Sequence, residues 1–552
     1  MHRSRSSRSR LTAAVFVLAA AAVAVFAATA LAAFVDLDGR VDSDKPAGIS
    51  PKKDAGALDA QGGSDVAGEP NVPWTDFEKK TSGNQQIFAR SFNGTDWETE
   101  GHGTVGGRSS ASPTFQSSLN FDQNRDAEEP AIDFAGTGRA VPWATWYEEN
   151  TAPFGHEEIF AARYDTANDV WVFAGQGRPG DAGPDNPPSL NIRTDKDAEN
   201  PSVAGGNATG NVNAPGPWVI WQEQGPNEDQ IFVVKPIGPG TTVCPAGTKP
   251  AGGAPEGGFC WQQVGVERSP ISSPVEPSLD VDLTRPGIEP DIAFTGTNDA
   301  VPWAVWYEIN DGEFGVTNER VFAAKAVVPP PDTKGTVDGG FVWEAVGKKT
   351  NAPQILDTSG PNNAGPCLKK QSAEDKCTLN KDPAADAEDP RVAGGTMTSG
   401  APTVPWVVWS EDVNGVSKIF VSRLVGGTHF ELANGGKPIS KGKRDSTVPD
   451  ITFAGHTPFV TWHETVNNSE RLFVGHFENP ADPTFVLDSG HGIKRSTEGL
   501  TLGTKSPISS NCTANPFNGD GDACQGGATA KAFFLFNDGP KGARQIFGES
   551  YP

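Results

Sequence analysis

Aromatic and aliphatic positions recur in a fixed order along most of this chain. Two aromatic residues three positions apart, usually after a proline, are followed by an aliphatic residue directly before a phenylalanine. The aromatic pairs are Trp74/Phe77, Trp143/Trp146, Trp218/Trp221, Trp303/Trp306, Trp406/Trp409, Phe459/Trp462 and Phe533/Phe536. The aliphatic-Phe pairs are Ile87-Phe88, Ile159-Phe160, Ile231-Phe232, Val321-Phe322, Ile419-Phe420, Leu472-Phe473 and Ile546-Phe547. Both patterns occur seven times in phase, which predicts seven structural repeats.

The segments around these two patterns complete a repeat of four short strands, a to d. A strand such as 130–134 or 290–294 precedes the aromatic pair of strand b, and strand c carries the aliphatic-Phe pair. Strand d carries one of Trp97, Trp171, Trp261, Trp343, Phe430 or Phe485. Residues three apart on a strand point to opposite faces, so strand b buries an aromatic ring on each side. The sequence therefore predicts an all-β fold, a seven-bladed β-propeller of four-stranded blades.

The two ends of the repeat region leave the closure of the ring open. The first repeat has only a weak strand a candidate, near Leu58, and the last repeat ends at Pro552 without a strand d. Either the N-terminal segment supplies that strand, or the final blade is incomplete. Repeats 2 and 4 share Val-Pro-Trp-Ala-x-Trp-Tyr-Glu, whereas repeats 3 and 5 share Asp-Ala-Glu-x-Pro-x-Val-Ala-Gly-Gly. This alternation indicates the duplication of a two-blade unit.

The N-terminus has the features of an export segment. Arg3, Arg5, Arg8 and Arg10 precede an uncharged run from Leu11 to Val35. Such a run is either a signal peptide, with small-residue cleavage sites near Ala30 and Ala32, or an uncut membrane anchor. We therefore expect residues 1–35 to be a signal peptide or anchor, 36–70 a flexible linker, and 71–552 the propeller. Either interpretation predicts a secreted chain or one tethered outside the cell membrane.

The composition agrees with this architecture, and the net charge excludes some classes of binding partner. The 552 residues include 64 Gly, 46 Pro, 14 Trp and 30 Phe, a balance typical of turn-rich β proteins. The formal net charge of −24 argues against nucleic acid as a partner, and against membrane contact other than through the N-terminal segment.

The six cysteines form three pairs that are close in sequence. They are Cys244/Cys260, Cys367/Cys377 and Cys512/Cys524, and each pair brackets a loop rich in Gly, Pro or Asp. Loop-closure entropy favours pairing between near neighbours, so we expect three disulfides that close surface loops.

Two acidic motifs follow the repeat. One ends strand b, and the other, mixed with arginines, precedes or begins strand a. The first comprises Glu148, Glu223, Glu308, Glu411, Glu464 and Asp538. The second comprises Arg125, Asp126, Glu128, Asp197, Glu199, Arg285, Glu289, Asp386, Glu388, Arg444 and Asp445. In a blade both positions lie at the same end, so the motifs are expected to form one acidic rim around the central channel.

Two interpretations of this rim are open. Groups repeated in nearly every blade can be architectural, accepting backbone N–H bonds or pairing with a neighbouring Arg or Lys. Alternatively, some of them bind a cation or a hydroxyl-rich ligand at a concave channel mouth. Tyr147, Tyr307 and His463 break the repeat at one position, and they either fill unequal gaps between blades or give one pocket chemical variety.

The repeats resemble those of bacterial secreted β-propellers of the sialidase-like, BNR-repeat kind. The resemblance covers about residues 57–552 and rests on Pro-x-Ile-x-Phe, Pro-Trp-x-x-Trp-x-Glu and Ile-Phe. The Asp-box of that family appears only in degraded form, at Asn93-Gly-Thr-Asp-Trp97 and Asp338-Gly-Gly-Phe-Val-Trp343. The resemblance implies the fold more than an activity, because propellers have many unrelated functions.

A sialidase-like activity would need a particular set of groups. The family resemblance implies three arginines on a substrate carboxylate and a Tyr–Glu couple. Arg125, Arg285 and Arg444 precede strand a in three blades, and Tyr147-Glu148 and Tyr307-Glu308 are formal couples. Adjacent strand residues point in opposite directions, so neither couple can form within one strand. The sequence therefore predicts no assembled catalytic set.

One loop has the composition of a calcium site. Asn518, Asp520 and Asp522 alternate with glycine between Cys512 and Cys524, in a pattern that resembles a shortened thrombospondin type 3 repeat. The alternative is a solvated turn closed by a disulfide. No other cofactor is expected.

Together these patterns predict a secreted or surface-tethered propeller that acts by binding a glycan or a cell-surface protein at the channel mouth. The alternatives are a sialidase-like glycoside hydrolase and a structural surface protein without a small ligand.

Overall fold

Each aromatic pair of strand b lies on a strand whose two faces are both covered. In the computed structural model of the chain, Trp143 and Trp146 are 1% and 0% exposed. They belong to different apolar cores, one on each side of the same sheet. The same division separates Trp303 from Trp306. The spacing of the aromatics thus produces sheets that pack face to face with a neighbour on each side.

The structure describes residues 35–40, 55–62, 73–81, 84–92, 97–101, 104–105, 118–135, 141–149, 155–174, 189–193, 195–206, 217–225, 228–237, 260–266, 278–311, 317–329, 337–348, 354–356, 377–494, 507–510, 530–538 and 545–551.

Within these ranges, six blades have four antiparallel strands, a to d, that follow one another along the chain. Blade 1 contains β2 (Ala55–Gly62), β3 (Pro73–Thr81), β4 (Asn84–Phe92) and β5 (Trp97–Thr99); blade 2 contains β7 (Ala127–Ala135), β8 (Val141–Glu149), β9 (Glu157–Asp165) and β10 (Val170–Phe173). Blade 3 contains β11 (Ala198–Ala204), β12 (Trp218–Gln224), β13 (Asp229–Ile237) and β14 (Cys260–Gln263); blade 4 contains β16 (Gly287–Thr295), β17 (Val301–Asp311), β18 (Thr317–Val327) and β20 (Val342–Ala345). Blade 5 contains β22 (Ala387–Gly395), β23 (Val404–Asp412), β24 (Ser417–Val425) and β25 (His429–Leu432); blade 6 contains β26 (Ser446–Ala454), β27 (Thr457–Thr465), β28 (Glu470–Glu478) and β29 (Thr484–Leu487).

Short strands and turns extend this framework. β6 (Thr104–Val105) pairs in parallel with β10, and β21 (Gln354–Ile355) pairs with β20. β15 (Gly265–Val266) pairs with β19 (Val337–Asp338), and 3₁₀ turns occur at Thr297–Asp299 and Asn434–Gly436.

A further four-stranded sheet, here called the composite sheet, combines both ends of the chain. Its strand order is β1 (Val35–Arg40), β32 (Gln545–Tyr551), β31 (Ala532–Asp538) and β30 (Ile508–Ser510). Val35 pairs with Ser550, antiparallel.

The composite sheet packs between blade 1 and blade 6. Phe533 and Leu535 share an apolar core with Phe77 of blade 1. Phe534 shares another with Phe459 of blade 6. The two faces of β31 therefore contact different neighbouring blades, as in the six contiguous blades.

The all-β class and the four-stranded propeller blades are confirmed, but the expected count of seven blades is not. Within the described ranges, six blades are contiguous in sequence, whereas the three strands of the last repeat form the composite sheet with β1. The structure also places β2, which contains Leu58, as strand a of blade 1. β2, and β1 apart from Val35, lie within residues 36–70, the expected linker, and their backbones pair with β3 and β32. Most of the export segment, residues 1–34, lies outside the described residues.

Strand a carries a bulge at the same place in five blades. The residue before its proline has a left-handed backbone: Glu129, Asn200, Glu289, Asp389 and Val448, with φ between 46° and 53°. The pairing with strand b shifts register there in every case. A bulge bends a strand and re-aims its side chains, so the start of strand a is displaced from the regular sheet.

Two of the six cysteines lie within the described ranges. Cys260 and Cys377 are buried, and no described cysteine is a free thiol. Their expected partners, Cys244 and Cys367, and the pair Cys512/Cys524 lie outside those ranges, so the three pairings stay predictions. None of the helices in the described part of the chain is long and apolar enough to cross a membrane.

Candidate functional site

The channel mouth is the end of the propeller where strand a begins and strand b ends. In blades 2 to 6, a residue near the start of strand a pairs there with a residue of strand b that differs from blade to blade. The pairs are Glu128/Tyr147, Glu199/Gln222, Ile288/Tyr307, Glu388/Ser410 and Thr447/His463. Tyr147, Tyr307 and His463 thus occupy one register position of strand b, and the residue opposite on strand a is acidic in blades 2, 3 and 5.

The glutamates that end strand b are buried between blades. Glu148, Glu223, Glu308, Glu411 and Glu464 are at most 3% exposed. Each accepts a hydrogen bond at 2.9–3.0 Å from the indole of the tryptophan two residues earlier.

The loop before strand a of the same blade supplies more donors to these glutamates. Lys381 and Asp382 donate backbone N–H groups to Glu411 at 2.7 and 2.8 Å, and Ile192 does so to Glu223 at 2.9 Å. Burial raises the pKa of Glu148 to about 7, although its hydrogen bonds oppose the shift. These glutamates are architectural, and they do not line the mouth.

The aspartates before strand a connect neighbouring blades. Asp126 accepts the backbone N–H of Gln85 at 2.6 Å, and Asp386 accepts that of Glu319 at 3.2 Å. Asp445 accepts the N–H of Ser417 at 3.1 Å. In each case the donor lies at the start of strand c in the preceding blade. Their architectural role is therefore clear.

Asp197 has the same role and one more contact. It accepts the backbone N–H of Glu157 at 3.3 Å and lies 3.0 Å from Nδ1 of His156. Its side chain is 45% exposed, so it also faces solvent at the mouth.

The three arginines proposed for a sialidase-like cluster are held by separate partners. Arg125 and Arg285 are buried against Asp122 and Asp282, at 3.4 and 3.3 Å, each within its own blade. Arg444 is half-exposed and lies 3.6 Å from Glu464. Because each guanidinium is tied to a carboxylate of its own blade, the three do not form one carboxylate-binding group.

The residues that break the repeat differ in their exposure. Tyr147 is half-buried and its hydroxyl donates to Glu128 at 2.9 Å, whereas the adjacent Glu148 points into the blade junction. Tyr307 is 9% exposed. His463 is 1% exposed, and burial lowers its pKa to about 4, so it is a neutral packing residue. Of the three, Tyr147 is the one best placed to meet a ligand.

Carboxyl groups with raised pKa values lie at the mouth of blades 2 to 5. Burial, a hydrogen bond with Glu199 and nearby carboxylates raise the pKa of Glu157 to about 8. Burial and the charges of Asp389, Glu319 and Asp386 raise the pKa of Glu388 to about 7. Burial also raises the pKa of Glu128, against its hydrogen bond from Tyr147. At neutral pH this half-buried rim therefore offers protonated carboxyls as well as carboxylates.

Glu289, also expected at the mouth, is half-buried. Its backbone N–H donates to the side chain of Gln222 in the preceding blade at 3.0 Å. In the same way the N–H of Asn200 donates to Glu129 at 2.9 Å. The bulged residues of strand a are thus fixed by contacts between blades.

Sequence reasoning missed the residues that line the channel below the mouth. Arg391, directly after the proline of strand a in blade 5, is 8% exposed and lines the channel with Asp291 and Asp450. Burial alone would lower the pKa of Arg391, but Glu289, Asp291, Asp389 and Asp450 together raise it. The signal was available, since strand a of blades 2 to 6 contains a proline, and the residue directly after each one lines the channel: Ala131, Ser202, Asp291, Arg391 and Asp450.

A second missed motif binds strand c. Asn120, Asn191, Asp280 and Asn380 follow Ser-Leu or Thr-Leu and accept the N–H of the aliphatic residue in the aliphatic-Phe pair. The preceding leucine is fully buried in each case. This Ser/Thr-Leu-Asn/Asp pattern recurs in phase with the aromatics and was readable from the sequence.

The described residues contain no group of three His, Cys, Asp or Glu side chains arranged to hold a metal ion. The expected calcium ligands Asn518, Asp520 and Asp522 lie outside the described residues.

Comparison with known proteins gives distant structural similarities. No family model and no curated protein matches the sequence. The chain is similar to an α-L-arabinanase of Penicillium chrysogenum solved with arabinobiose, at 9% identity and a TM-score of 0.35, over 77% of this chain and 92% of that one. It is similar to the Trypanosoma rangeli sialidase at 9% identity and a TM-score of 0.33, over 77% of this chain and 55% of that one. It is also similar to an endo-1,5-α-L-arabinanase of Thermotoga petrophila at 9% identity and a TM-score of 0.26, over 87% and 80%. Similarities this distant concern architecture alone and assign no substrate.

Proposed function

We propose that this chain is an exported β-propeller that binds a hydroxyl-rich ligand, a glycan, at the channel mouth. The observation that carries the proposal is the geometry of the rim, where half-buried carboxyl and hydroxyl groups lie within hydrogen-bond distance of one another. Glu157 hydrogen-bonds Glu199 and holds its proton at neutral pH, and Tyr147 donates to Glu128 at 2.9 Å. A half-buried site that both donates and accepts hydrogen bonds suits sugar hydroxyls, which also do both.

A glycan array followed by calorimetry tests this proposal. We expect binding to selected glycans that weakens at least tenfold in Tyr147→Phe, which removes a hydroxyl from the mouth, and in Glu388→Gln, which replaces a carboxyl oxygen with an amide nitrogen that only donates. Glu431→Gln is the matched control, since Glu431 is exposed on strand d of blade 5, where its side chain lies 3.2 Å from His429 and away from the mouth. Equal affinity in all four proteins, or an empty array, would refute the proposal and favour a structural surface protein.

A glycoside hydrolase is the second candidate, and one specific observation favours it. Glu157 and Glu388 have pKa values raised to about 8 and about 7 beside the carboxyls of Asp197 and Asp386. A protonated carboxyl can act as general acid while an ionised neighbour acts as base or nucleophile. Turnover of chromogenic glycosides that is lost in Glu157→Gln or Glu388→Gln would establish this activity in place of binding alone.

We also infer that the composite sheet acts as the seventh blade and closes the ring. Its two faces pack on blade 6 and blade 1, and β1 occupies the place of strand d. This arrangement supports the exchange of strands between the chain ends over an incomplete final blade.

A further inference from the structure

We infer that, while the N-terminal segment holds this chain on a lipid bilayer, the face opposite the acidic mouth lies against the lipid. The mouth then points away from the membrane. The inference rests on the proposed export segment and is independent of whether the mouth binds a glycan.

β32, the strand that pairs with β1, runs from the mouth toward the opposite face. In every contiguous blade, strand b ends at the mouth and strand c begins there, because the two strands are antiparallel neighbours that follow one another along the chain. In the composite sheet Asp538, at the mouth end of β31, pairs with Gln545 at the start of β32. β32 therefore runs away from the mouth, and Ser550 lies near the opposite face.

The pairing of β1 with β32 then gives the position of Val35. Val35 pairs with Ser550, and Arg40 pairs with Phe547, closer to the mouth. Val35 is also the last residue of the uncharged run that begins at Leu11. No spacer separates the run from the propeller. The residue at which the run joins the propeller, Val35, therefore lies at the face opposite the mouth.

The charge of the two faces carries the second step. On the face opposite the mouth, the turns of blades 5 and 6 are 396–403, 426–428, 455–456 and 479–483. These turns contain Asp482 as their one acidic residue and neither Lys nor Arg. The mouth loop that joins the same two blades is instead rich in charged residues, which are Lys437, Lys441, Lys443, Arg444 and Asp445. A face with few charged side chains loses less hydration against a bilayer, so the opposite face approaches lipid at a lower cost.

Two fluorescent labels, one on each face of the propeller, test this orientation. Thr428→Cys places a fluorophore on the exposed turn between β24 and β25, at the face opposite the mouth. Lys443→Cys places the same fluorophore on the exposed loop before β26, at the mouth. The full chain is reconstituted in phosphatidylglycerol and phosphatidylethanolamine vesicles that carry a spin-labelled quencher lipid, and vesicles without the quencher are the control.

We expect the label at position 428 to be quenched several times more strongly than the label at position 443. Equal quenching, or stronger quenching at 443, would overturn the inference, and so would failure of the full chain to associate with vesicles. The quenching experiment contains no glycan, so its result does not depend on whether the mouth binds one.

Discussion

The indole Nε1 of Trp409 donates to the carboxylate of Glu411, two residues further along the same strand, at 2.9 Å. Lys381 and Asp382 direct their backbone N–H groups at the same carboxylate. This one buried side chain thus joins strand b of blade 5 to the loop before strand a. Equivalent bonds from Trp146 and Trp306 show that the contact is part of the repeat.

Removing this carboxylate is expected to destabilise the propeller. Glu411→Ala leaves three buried N–H donors without their acceptor and lowers the free energy of unfolding by about 3 kcal/mol. Glu411→Gln keeps one acceptor oxygen and costs about 1 kcal/mol. Urea denaturation measures both, and Glu431→Ala, on an exposed side chain, serves as the control with a change below about 0.5 kcal/mol. A loss at Glu411 no greater than that at Glu431 would contradict the architectural role.

The alternation between odd and even blades depends on paired glycines. A Cβ at Gly206 would lie 2.0 Å from Cγ of Phe294, and a Cβ at Gly394 would lie 2.2 Å from the backbone oxygen of the same residue. Odd blades therefore carry Gly-Gly where even blades place a phenylalanine. We expect Gly206→Ala and Gly394→Ala each to cost about 2 kcal/mol by overpacking.

Phe294→Leu separates these two clashes. In that background the cost of Gly206→Ala is expected to fall by about 1 kcal/mol, because the ring is gone, whereas the cost of Gly394→Ala stays the same. A double-mutant cycle in thermal unfolding measures the difference. Identical coupling for both glycines would show that the contacts are wrongly assigned.

The rim should make stability depend on pH. The pKa of Glu157 is about 8 in the folded chain, above its ordinary value of 4.5. The folded chain therefore holds this proton where the unfolded chain has lost it, so the stability it contributes is complete below pH 4.5 and is lost as pH rises through about 8. Glu157→Gln is expected to flatten the decline of unfolding free energy over this range. Asp482→Asn, in the exposed turn before β29, should leave the decline unchanged.

Closure of the ring predicts that β1 is needed for stability. A chain that begins at residue 41 leaves the edge of β32 open, and we expect a lower melting temperature and association through that edge. A chain that begins at residue 35 keeps the strand and should match the uncut protein. Calorimetry and light scattering compare the two, and equal melting temperatures would exclude β1 as a structural strand.

The fold was predictable where its signals are local. The three-residue spacing of Trp143 and Trp146 is enough to indicate a sheet covered on both faces, and the alternation of neighbours correctly separates Tyr147 from Glu148. β2 was hard to predict because Ala55–Gly62 is rich in Ala, Gly and Asp, which have low strand propensity. Its pairing with β3, rather than its own composition, makes it a strand.

The site was less predictable, because its chemistry depends on contacts between blades. Nothing near Glu157 in sequence indicates that it meets Glu199 of the next blade. The same limit applies to Arg125 and Arg285, whose partners Asp122 and Asp282 are local but whose burial is set by the packed ring.

The pairing of Val35 with Ser550 also fixes the order of events in assembly. The two residues are far apart in sequence, so β1 stays unpaired until β32 has formed. The six contiguous blades can form from contacts that are closer in sequence, whereas the composite sheet needs this long-range pairing. Closing so long a loop is entropically costly and slow, so a nearly finished propeller with an unpaired edge is the stage at which this chain is most exposed to proteases and to misassembly.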